Sequence, residues 1–408
     1  TVGPDGKYTS AVPGYEGKFA LDMNVEMIKA LAASGALFAK GSLRHQYAHC
    51  WRCKNPIIYR ATEQWFSSVD GYRKKALEAI DQVQWIPSWG HDRIYNMIRD
   101  RGDWCISRQR VWGVPIPIFY CREHNHAVIT DETIAHLQEI FAKEGSDAWW
   151  AHTEKELLPE GFKCPECGCT EFRKESDIMD VWFDSGCTHQ GVLCHDPELA
   201  YPADMYLEGS DQHRGWFNSS LLTSVAANGI APYKAVLTHG FTVDGEGRKM
   251  SKSVGNTVAP QEVIDQYGAD VMLWVSSADY QGDVRLSPKI LKQLSDVYRK
   301  IRNTFRFLLG NINDFNPETD AVSYKDMSEI DKWALLRLEQ VLETVTEAYE
   351  NYQFHVMYHT IHNFCTVDLS SIYLDVTKDR MYTEKTDARE RRSAQTAMYI
   401  ILDTLVKI

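Results

Sequence analysis

Hydrophobic and polar positions alternate in two ways along the chain, one typical of strands and one of helices. Between about residue 50 and residue 260, short apolar runs end in polar or glycine-containing turns, and we interpret four of them as buried strands. These segments are PIIYRATEQWF (56–66), DVWFDSG (180–186), ADMYLEGSD (203–211) and KAVLTHGFTVDG (234–245). GWFNSSLLTSVAANG (215–229) has the pattern of a helix between the last two. This succession predicts a parallel sheet with right-handed crossovers.

The predicted sheet also implies where a ligand site lies. Parallel sheets bind their ligands beyond the carboxyl ends of the strands, where the connecting loops meet. The polar residues that follow MYLEG (205–209) and those that follow LTHGF (237–241) are therefore expected to face one site.

Helical periodicity dominates both ends of the chain. In DMNVEMIKALAASGALF (22–38), apolar residues recur at helical spacing, and the pattern ends near Gly35. From about residue 288 onward, apolar residues recur every three or four positions, beginning with KILKQLSDVYRKIRNTFRFLLGNI (289–312). We predict a bundle of at least four helices there. The fold class is thus α/β in the middle of the chain, followed by an all-α helical bundle.

Composition narrows the classes of protein that fit this pattern. The chain has 408 residues, 44% apolar residues and a net charge of −12, values ordinary for a globular protein and too acidic for one that coats nucleic acid. It contains no run of about 18 apolar residues, so no membrane partner is expected. The start, TVGPDGKYTSAVPGYEGKF, is polar and lacks Met, which leads us to expect a fragment of a longer protein.

Two closely spaced pairs of metal-binding residues predict a zinc site. Cys121-x-x-His124 and Cys164-x-x-Cys167 each have the spacing that lets a pair bind one tetrahedral ion. About 40 residues separate the pairs, so we expect a small insertion held together by Zn²⁺. Reduced cysteines without a metal are the alternative interpretation.

Other residues leave the ligand assignment open. His126 and Cys169 lie close enough in sequence to replace one of the four predicted ligands. Cys50-x-x-Cys53 has the same spacing but no partner pair in the chain. We interpret it either as half of a second zinc site or as two ordinary buried thiols.

A short basic loop is the candidate for phosphate chemistry. The chain lacks the glycine-rich phosphate loops G-x-x-x-x-G-K-[ST] and G-x-G-x-x-G. Between Gly247 and Gly255, however, Lys249 and Lys252 stand three residues apart. Two ammonium groups on a hinged loop can stabilise the charge of a leaving pyrophosphate. By spacing alone, a solvated basic turn is the alternative.

Six stretches of the chain together resemble one family. KMSKS (249–253) matches the signature loop of the class I aminoacyl-tRNA synthetases, and positions 49 to about 380 are similar to the isoleucine branch of that family. The matching stretches are HCWRCKNPIIYRATEQWF, DWCISRQRVWGVPIP, DVWFDSG, DMYLEGSDQHRGWFNSSLL, LTHGFTVDGEGRKMSKSVGN and FCTVDLSSIYLDVTKDR. The resemblance implies a portion of a Rossmann-like parallel sheet with a small zinc-bearing insertion, followed by a helical anticodon-binding domain.

The resemblance implies an activity as well. Members of this branch activate isoleucine with ATP to isoleucyl-adenylate and transfer it to tRNA(Ile), so ATP with Mg²⁺ is expected beside Zn²⁺. Lys249 and Lys252 would hold the ATP phosphates, with the hydroxyls of Ser251 and Ser253 as further donors. We also expect a cytoplasmic protein without a membrane partner, acting as a monomer.

The resemblance assigns further residues to substrate binding. For the adenylate they are Glu208, Gly209, Asp211, Gln212, His239 and Gly240, and for the isoleucine side chain Trp182 and Trp216. Core packing is the alternative for each tryptophan. For tRNA the candidates are Arg108, Arg110, Arg299 and Arg302, with surface ion pairs or a solvated helix face as the alternative.

The family's domain order gives boundaries along the chain. We expect a remnant of an editing insertion (1–46), and then a catalytic Rossmann-like domain in two segments (47–118 and 178–258), the later of which carries the lysine loop. The zinc insertion (119–177) would separate these segments. A stem-contact region (259–290) and an incomplete anticodon-binding domain (291–408) would follow.

One family signature is missing from the chain. The second nucleotide motif, His-x-Gly-His, does not occur in the sequence, so we expect a fragment with negligible activity alone. A ligase for another branched-chain amino acid and a non-catalytic tRNA-binding module derived from a synthetase are the alternatives.

Overall fold

The computed structural model of the chain describes residues 1–50, 52–252, 254–277 and 279–408. Backbone contacts divide the chain into two units. The first unit is Thr1–Phe66 with Cys105–Arg108, and the second is Ser67–Trp104 with Gln109–Ile408.

The elements follow one another in mixed order and become purely helical toward the end. The strands are β1 (Phe66–Ser67), β2 (Gln84–Ile86), β3 (Trp104–Cys105), β4 (Ser107–Arg108), β5 (Phe119–Cys121), β6 (Ala127–Val128), β7 (Phe172–Lys174), β8 (Ile178–Met179), β9 (Ala203–Gly209), β10 (Tyr233–His239), β11 (Thr242–Asp244) and β12 (Val284–Leu286). The α-helices are α1 (Asn24–Ala33), α2 (Arg73–Ile80), α3 (Trp89–Arg99), α4 (Asp131–Glu144), α5 (Ala148–Ala151), α6 (Glu154–Leu157), α7 (Val181–Gly186), α8 (Trp216–Asn228), α9 (Pro260–Tyr267), α10 (Ala269–Ser277), α11 (Pro288–Asn311), α12 (Glu329–Glu350), α13 (Phe354–Asn363), α14 (Leu374–Thr383) and α15 (Arg389–Leu405). Short 3₁₀ turns cover Val69–Gly71, Ser210–His213 and Tyr324–Asp326, and π-helical turns cover His189–Leu193 and Phe364–Tyr373.

A three-stranded parallel sheet lies in the α/β portion of the second unit. Its order is β2-β10-β9, and the central strand β10 pairs in parallel with both neighbours. Val236 and Leu237 of β10 are buried, as is Tyr206 of β9. Helix α8 connects β9 to β10 and is buried over most of its length. The predicted strands 203–211 and 234–245, the helix between them and their parallel arrangement are therefore confirmed.

A separate small sheet carries the insertion between the two cysteine pairs. Its strands pair antiparallel in the order β6-β5-β7. Helices α4, α5 and α6 cover it, and the core contains Phe119, Leu137, Trp149 and Phe172, all buried. Because this core is so small, a bound ion would add substantially to the stability of the insertion.

The helical bundle confirms the prediction for the last hundred or so residues of the chain. Helices α11 to α15 and the π-helical turn 364–373 enclose one hydrophobic core. In α12, the buried residues Ala334, Leu338, Val341 and Val345 recur at steps of three and four, so one face of the helix points inward. The hydroxyl of Ser287 accepts from the backbone NH of Ile290 at 3.3 Å and begins α11.

Two predicted strands are wrong. DVWFDSG forms helix α7, because the Asp180 carboxylate accepts from the Trp182 backbone NH at 3.3 Å and caps a helix. In PIIYRATEQWF only Phe66 belongs to a strand, and Tyr59 is exposed. An apolar run forms a strand only where a neighbouring strand takes up its backbone hydrogen bonds, and residues 57–65 form no such ladder.

The helix predicted in segment 22–38 is confirmed as α1 of the first unit. It ends just before Gly35, which has a positive φ of 73°. No residue of α1 is buried; Val25 and Leu31 of its apolar stripe are both exposed. Across the described residues, no helix combines the length and apolar character needed to cross a membrane.

Candidate active site and metal centre

The carboxyl ends of β9 and β10 lie side by side. The register pairs Thr238 with Glu208 and His239 with Gly209, so both strands end at the same level. The strand ends are therefore adjacent, as predicted, and the expectation that the polar residues after both strands face one site stays a prediction. The Glu208 carboxylate is exposed and accepts from the Gly209 backbone NH at 3.2 Å, which leaves most of its acceptor capacity to solvent or a ligand.

The backbone beyond β9 turns tightly because glycine allows it. A Cβ at Gly209 would lie 3.0 Å from the Asp211 carboxylate and 3.3 Å from the ring of Phe241. The turn continues into the 3₁₀ segment 210–213, which holds Asp211 exposed and Gln212 half-buried. The Gln212 side-chain oxygen accepts from the Trp216 backbone NH at 2.8 Å. Gln212 thus fixes the start of α8 and keeps its amide nitrogen available.

Both predicted tryptophans lie around Gly215. A Cβ there would come within 2.9 Å of the Trp182 indole and 2.4 Å of the Gln212 side-chain oxygen, so only glycine fits. Trp216 stacks on Tyr206 with 4.1 Å between ring centroids, and its indole NH donates to the Ser185 carbonyl at 3.0 Å. Trp182 is held less tightly and remains 43% exposed.

Helix α7 carries a carboxyl group with an unusual pKa. Burial, and to a smaller extent the charge of Asp180, raises the pKa of Asp184 to about 6. Asp180 itself is buried and accepts from the Trp104 indole NH at 3.2 Å. Asp180 therefore accepts hydrogen bonds from the Trp104 indole and the Trp182 backbone, whereas the Asp184 carboxylate accepts none from the residues that the structure describes.

The segment that follows β10 packs closely against residues 280–286. The Gly240 backbone NH donates to the Tyr280 carbonyl at 2.8 Å, and a Cβ at Gly240 would lie 2.1 Å from the Gly282 carbonyl oxygen. His239 bonds through Nδ1 to the carbonyl of Gly240 at 2.7 Å. Strand β11, which pairs with β12, then leads directly into the basic loop.

One carboxylate organises the basic loop. Asp244 accepts from the backbone NH groups of Glu246 and Arg248 at 3.0 and 2.8 Å, and from the Arg248 guanidinium at 3.0 Å. The side-chain amide of Asn256 donates to the same carboxylate at 3.0 Å and accepts from the Ser251 backbone NH at 2.9 Å. Hydrogen bonds from Asn256 and Arg248 hold the pKa of Asp244 well below its usual range.

Both lysines lie on the loop that Asp244 and Asn256 hold in place. Lys249 and Lys252 are exposed, and neither forms an ion pair with a described residue. Ser251 is half-buried, with its backbone NH bound by Asn256. Ser253, the fourth loop residue predicted from the sequence, lies outside the described residues.

The four arginines predicted to bind tRNA differ in exposure and in the hydrogen bonds or ion pairs that their guanidinium groups form. The Arg108 guanidinium donates to the carbonyls of Cys105 and Ser107 at 2.9 and 2.8 Å, all within the first unit. Arg110, in the second unit, is exposed. In α11, Arg299 pairs with Asp296 at 3.3 Å, and Arg302 is exposed.

Three of the predicted metal ligands meet in the insertion. The thiols of Cys121, Cys164 and Cys167 lie within 4.8 Å of one another. Burial opposes ionisation of Cys121 and Cys164, but backbone NH groups outweigh it and lower the pKa of both thiols. The pKa of Cys167 is raised to about 11: a backbone donor from Cys169 lowers it, but burial and the adjacent thiols outweigh that donor. Three thiolates this close to one another would repel. All three thiols can therefore be ionised only if a cation neutralises their charge, as a bound metal ion would.

Two histidines compete for the fourth position. His126 Nε2 lies 2.9 Å from Cys164 Sγ, and its Nδ1 lies 3.6 Å from the Glu166 carboxylate. His124, predicted from spacing, groups instead with Glu123 and Cys167 on the exposed side. At 3.6 Å the Glu166 carboxylate is a charged neighbour and not a hydrogen-bond acceptor, and His126 Nδ1 is buried without a hydrogen-bond partner among the described residues.

The same backbone turn follows each predicted ligand pair. The Asn125 NH donates to the Cys121 carbonyl at 2.8 Å, and the Gly168 NH donates to the Cys164 carbonyl at 2.8 Å. Both Asn125 and Gly168 have positive φ, 51° and 75°. Such turns aim backbone NH groups at the ligand sulfur.

Cys50 and Cys53 in the first unit adopt this turn as well. The Lys54 NH donates to the Cys50 carbonyl at 2.8 Å, and Lys54 has φ 62°. No further ligand joins the two cysteines among the described residues. The bond from the Lys54 NH and the positive φ of Lys54 match those of the other two turns. Cys50 is half-buried and Cys53 is exposed, so the alternative of two buried thiols is wrong for Cys53, and half a metal site stays a prediction.

Several residues that shape the site were not found from the sequence. Asp244 and Asn256 stand twelve residues apart, Phe241 contacts the Gly209 turn, and Asp184 was placed in a strand. A weak signal existed for Asp244, because Asp before Gly is typical of a turn whose carboxylate binds nearby NH groups.

Comparison with known proteins gives two family matches. A family described as tRNA synthetases class I (I, L, M and V) matches residues 11–287, and one described as the anticodon-binding domain of tRNA ligase matches residues 331–408. Among curated relatives, isoleucine–tRNA ligases of Desulfitobacterium hafniense and Caldanaerobacter subterraneus subsp. tengcongensis are 62% and 60% identical over 408 and 404 residues. The chain covers 44% and 43% of their lengths, and the matches cover 100% and 99% of the chain.

Solved structures share the fold at low sequence identity. A methionyl-tRNA synthetase of Mycobacterium tuberculosis in complex with methionyl-adenylate gives a TM-score of 0.59 at 16% identity, covering 88% of this chain and 63% of that one. A ternary complex of LeuRS, tRNA and LeuAMS from Agrobacterium radiobacter K84 gives 0.51 at 20% identity, covering 73% and 38%. These likenesses concern the fold alone.

Proposed function

The chain belongs to the class I tRNA synthetases, and from that premise we propose that it forms a portion of an isoleucine–tRNA ligase. The observation that carries the proposal is the alignment of the β9 and β10 ends, which sets Glu208 level with Thr238 and Gly209 level with His239 within the matched region. In this proposal isoleucine and ATP react beyond these strand ends, and tRNA(Ile) receives the product. The protein acts in the cytoplasm as a monomer, as the family resemblance implies.

The first step joins the amino acid to AMP. A carboxylate oxygen of isoleucine attacks the α-phosphorus of ATP, the bond to the β-phosphate oxygen breaks, and pyrophosphate leaves. The exposed Glu208 carboxylate accepts from the substrate ammonium group or a ribose hydroxyl, and Asp211 and Gln212 bind the same adenylate. Trp182 and Trp216 bound an apolar slot for the branched side chain, and His239 and Gly240 flank the adenine.

The lysine loop acts on the leaving group. Lys249 and Lys252 neutralise charge as it develops on pyrophosphate, with no proton transfer required. Their exposure and lack of described ion partners support this role. Mg²⁺ bound with ATP would supply further charge neutralisation on the phosphates. In the second step, a ribose hydroxyl of the tRNA attacks the adenylate carbonyl and AMP leaves.

A chimera tests the function. This chain would replace the matching 44% of the Desulfitobacterium hafniense relative, and exchange of labelled pyrophosphate into ATP would be measured with isoleucine or valine. We expect exchange with isoleucine, and a loss of about a hundredfold in kcat for Lys252→Ala because one charge contact to the transition state is gone. Lys75→Ala, an exposed helix lysine, is the matched control. A folded chimera that activates another amino acid, or none, would contradict the proposal.

We also propose that the cysteine cluster binds Zn²⁺ through Cys121, Cys164, Cys167 and one histidine. Sulfur and nitrogen donors suit this ion, and here it would stabilise the insertion. Spacing favours His124, whereas the contact with Cys164 favours His126. Substituting Co²⁺ in His124→Ala and His126→Ala would decide, since only loss of the true ligand changes the visible spectrum of tetrahedral cobalt. A wild-type chain that takes up no metal would contradict the site.

A further inference from the structure

His213 ends the short 3₁₀ turn that follows β9, and its imidazole is completely buried. The proposed reaction gives this side chain no role, although Asp211 and Gln212 of the same turn are assigned to the adenylate. Burying a polar ring costs free energy unless a hydrogen bond compensates. The contacts of the imidazole therefore indicate what the residue contributes.

The imidazole holds the turn to which it belongs. Its Nδ1 lies 3.1 Å from the Ser210 carbonyl oxygen. Because a carbonyl can only accept, Nδ1 carries the proton and donates, which fixes the tautomer of the neutral ring. A 3₁₀ turn is weakly held by its own backbone bonds, since their geometry is poor. The side chain adds a bond to the carbonyl that begins the turn, and Asp211 and Gln212 lie between the two bonded residues.

The other ring nitrogen faces the first turn of α3. His213 Nε2 is buried and has no hydrogen-bond partner among the described residues. A Cβ at Gly90 would lie 3.1 Å from this nitrogen and 3.3 Å from the Trp85 ring, so glycine lets the imidazole lie close to α3. An acceptor left unsatisfied in the interior costs free energy. An apolar ring would avoid that cost but could not bond to Ser210, so the Nδ1 donor is what distinguishes histidine here.

Aromatic rings fix the orientation of the imidazole. Its centroid lies 5.3 Å from that of Trp89 at an interplanar angle of 36°, and 6.1 Å from that of Trp85 at 33°. The Phe217 ring of α8 meets it edge-on, with 5.4 Å between centroids and 87° between planes. Burial lowers the pKa of His213 by more than the bond to the Ser210 carbonyl raises it. The ring is therefore neutral at neutral pH, and β2, α3 and α8 hold it in place.

We propose that His213 is a positioning residue for adenylate binding, because its bond to the Ser210 carbonyl sets the turn that presents Asp211 and Gln212. Since the imidazole is fully buried, it acts through these two side chains and does not touch the substrate. The proposal rests on the proposed function, in which both side chains bind the adenylate. It adds a link between the start of α3 and the adenylate-binding turn.

A second buried histidine provides a matched control. His189 is 1% exposed, its Nδ1 lies 2.9 Å from the Gly186 carbonyl oxygen three residues earlier, and burial lowers its pKa. It lies in the π-helical turn after α7 and stacks on Tyr201 with 5.6 Å between ring centroids. The bond has the same chemistry as that of His213 but does not hold residues 210–213. Loss of either bond should cost similar stability, whereas only the His213 bond should affect adenylate binding.

Calorimetric binding of a non-hydrolysable isoleucyl-adenylate analogue, the acyl sulfamate, to the chimera tests the role. His213→Phe removes the donor and keeps a buried ring, and we expect the dissociation constant to rise about tenfold. His213→Asn places an amide NH near the position of Nδ1 and should recover affinity to within about threefold of wild type. His213→Gln places its NH near the position of Nε2 and should not recover it. His189→Phe should change the affinity by less than about twofold.

The imidazole can also be observed in this chain without any enzyme activity. With ¹⁵N-labelled histidine, NMR distinguishes a protonated Nδ1 from a protonated Nε2, and the ring signals that disappear in His213→Asn belong to His213. We expect a neutral ring that carries its proton on Nδ1.

Four results would overturn the proposal. They are a proton on Nε2 of His213, equal analogue affinity of wild type and His213→Phe, equal recovery by His213→Asn and His213→Gln, and an equal loss of affinity in His189→Phe. In each case the proposed function would stand, provided that the wild-type chimera exchanges pyrophosphate with isoleucine. A wild-type chimera without exchange would instead contradict the proposed function, and with it the role of the turn.

Discussion

The helical bundle and the lysine loop are each organised around a nearly buried aspartate, but over very different distances along the chain. In the bundle, Asp331 accepts from Tyr373 at 2.8 Å, from Ser393 at 2.6 Å and from both terminal nitrogens of Arg380 at 2.8 and 2.9 Å. These partners lie 42 to 62 residues away and belong to three other elements. In the loop, the donors to the Asp244 carboxylate, Glu246, Arg248 and Asn256, all lie within twelve residues of it.

Because of this difference in range, Asp331 stabilises the whole bundle, whereas Asp244 stabilises a single loop. Removing Asp331 leaves a guanidinium uncompensated inside the bundle, where four elements meet. Removing Asp244 releases a single loop, whose lysines already face solvent. A loop held by its own residues can move as one piece without disturbing the sheet, which fits a role in contacting a leaving phosphate. Three substitutions test this contrast, and a fourth in helix α7 tests the raised pKa of Asp184; they follow from the largest expected effect on stability to the smallest.

The largest effect is expected for Asp331→Ala. Arg380 would remain in the bundle without its partner, which typically lowers the free energy of unfolding by about 3–5 kcal/mol. Urea unfolding followed by circular dichroism measures this change. Asp375→Ala removes an exposed carboxylate paired with Lys378 in α14 and should change stability by less than about 0.5 kcal/mol. If the two variants were equally stable, Asp331 would not stabilise the bundle as a whole, and the contrast with Asp244 would fail.

Asp184→Asn should have the opposite sign. The pKa of Asp184 is raised to about 6, so its charged form destabilises the fold above that pH, and the penalty disappears as pH falls toward about 4, the value in an unfolded chain. We expect the variant to be about 1 kcal/mol more stable at pH 8, a figure reduced for partial exposure, and no more stable near pH 4. Thermal unfolding at several pH values checks this, with Asp147→Asn as an exposed control. A gain that is independent of pH would contradict the assignment.

Asp244→Asn should loosen the loop with little effect on the whole fold. The amide cannot accept all the donors that now hold the pKa of Asp244 well below its usual range. We expect faster trypsin cleavage after Arg248 and Lys249, and a smaller change in the urea midpoint than for Asp331→Ala. Because that pKa is depressed, the contribution of Asp244 is present at neutral pH and is lost only in acid. Unchanged cleavage would show that the carboxylate does not hold the loop.

Asn256→Ala should have the smallest effect. It removes the bonds to Asp244 and to the Ser251 backbone NH but leaves the pairing of Asp244 with Arg248. Trypsin cleavage should increase less than in Asp244→Asn, with no detectable change in unfolding. Asn228→Ala, an exposed asparagine whose amide donates to Tyr201 at 2.9 Å, is the matched control. Cleavage faster than in Asp244→Asn would make Asn256 the main support of the loop.

Prediction from the sequence succeeded where tertiary partners support the predicted element. Strands β9 and β10 pair with a neighbour along their length, helix α8 fills the connection between them, and helical periodicity extends through the bundle. Segment 180–186 failed because six or seven residues do not distinguish a strand from a helix, and the Asp180 cap decides the outcome.

By itself, the sequence determined the chemistry available to this protein: the lysine pair, the strand-end carboxylates, the cysteine pairs and the family to which they belong. Only the tertiary structure decided which of these groups meet. His126 rather than His124 contacts Cys164, Asn256 reaches Asp244, and Trp112 stays outside the core. The physical reason is one of range. Residue type and periodicity are properties of neighbouring positions, whereas these contacts depend on how the backbone packs between positions far apart in the chain.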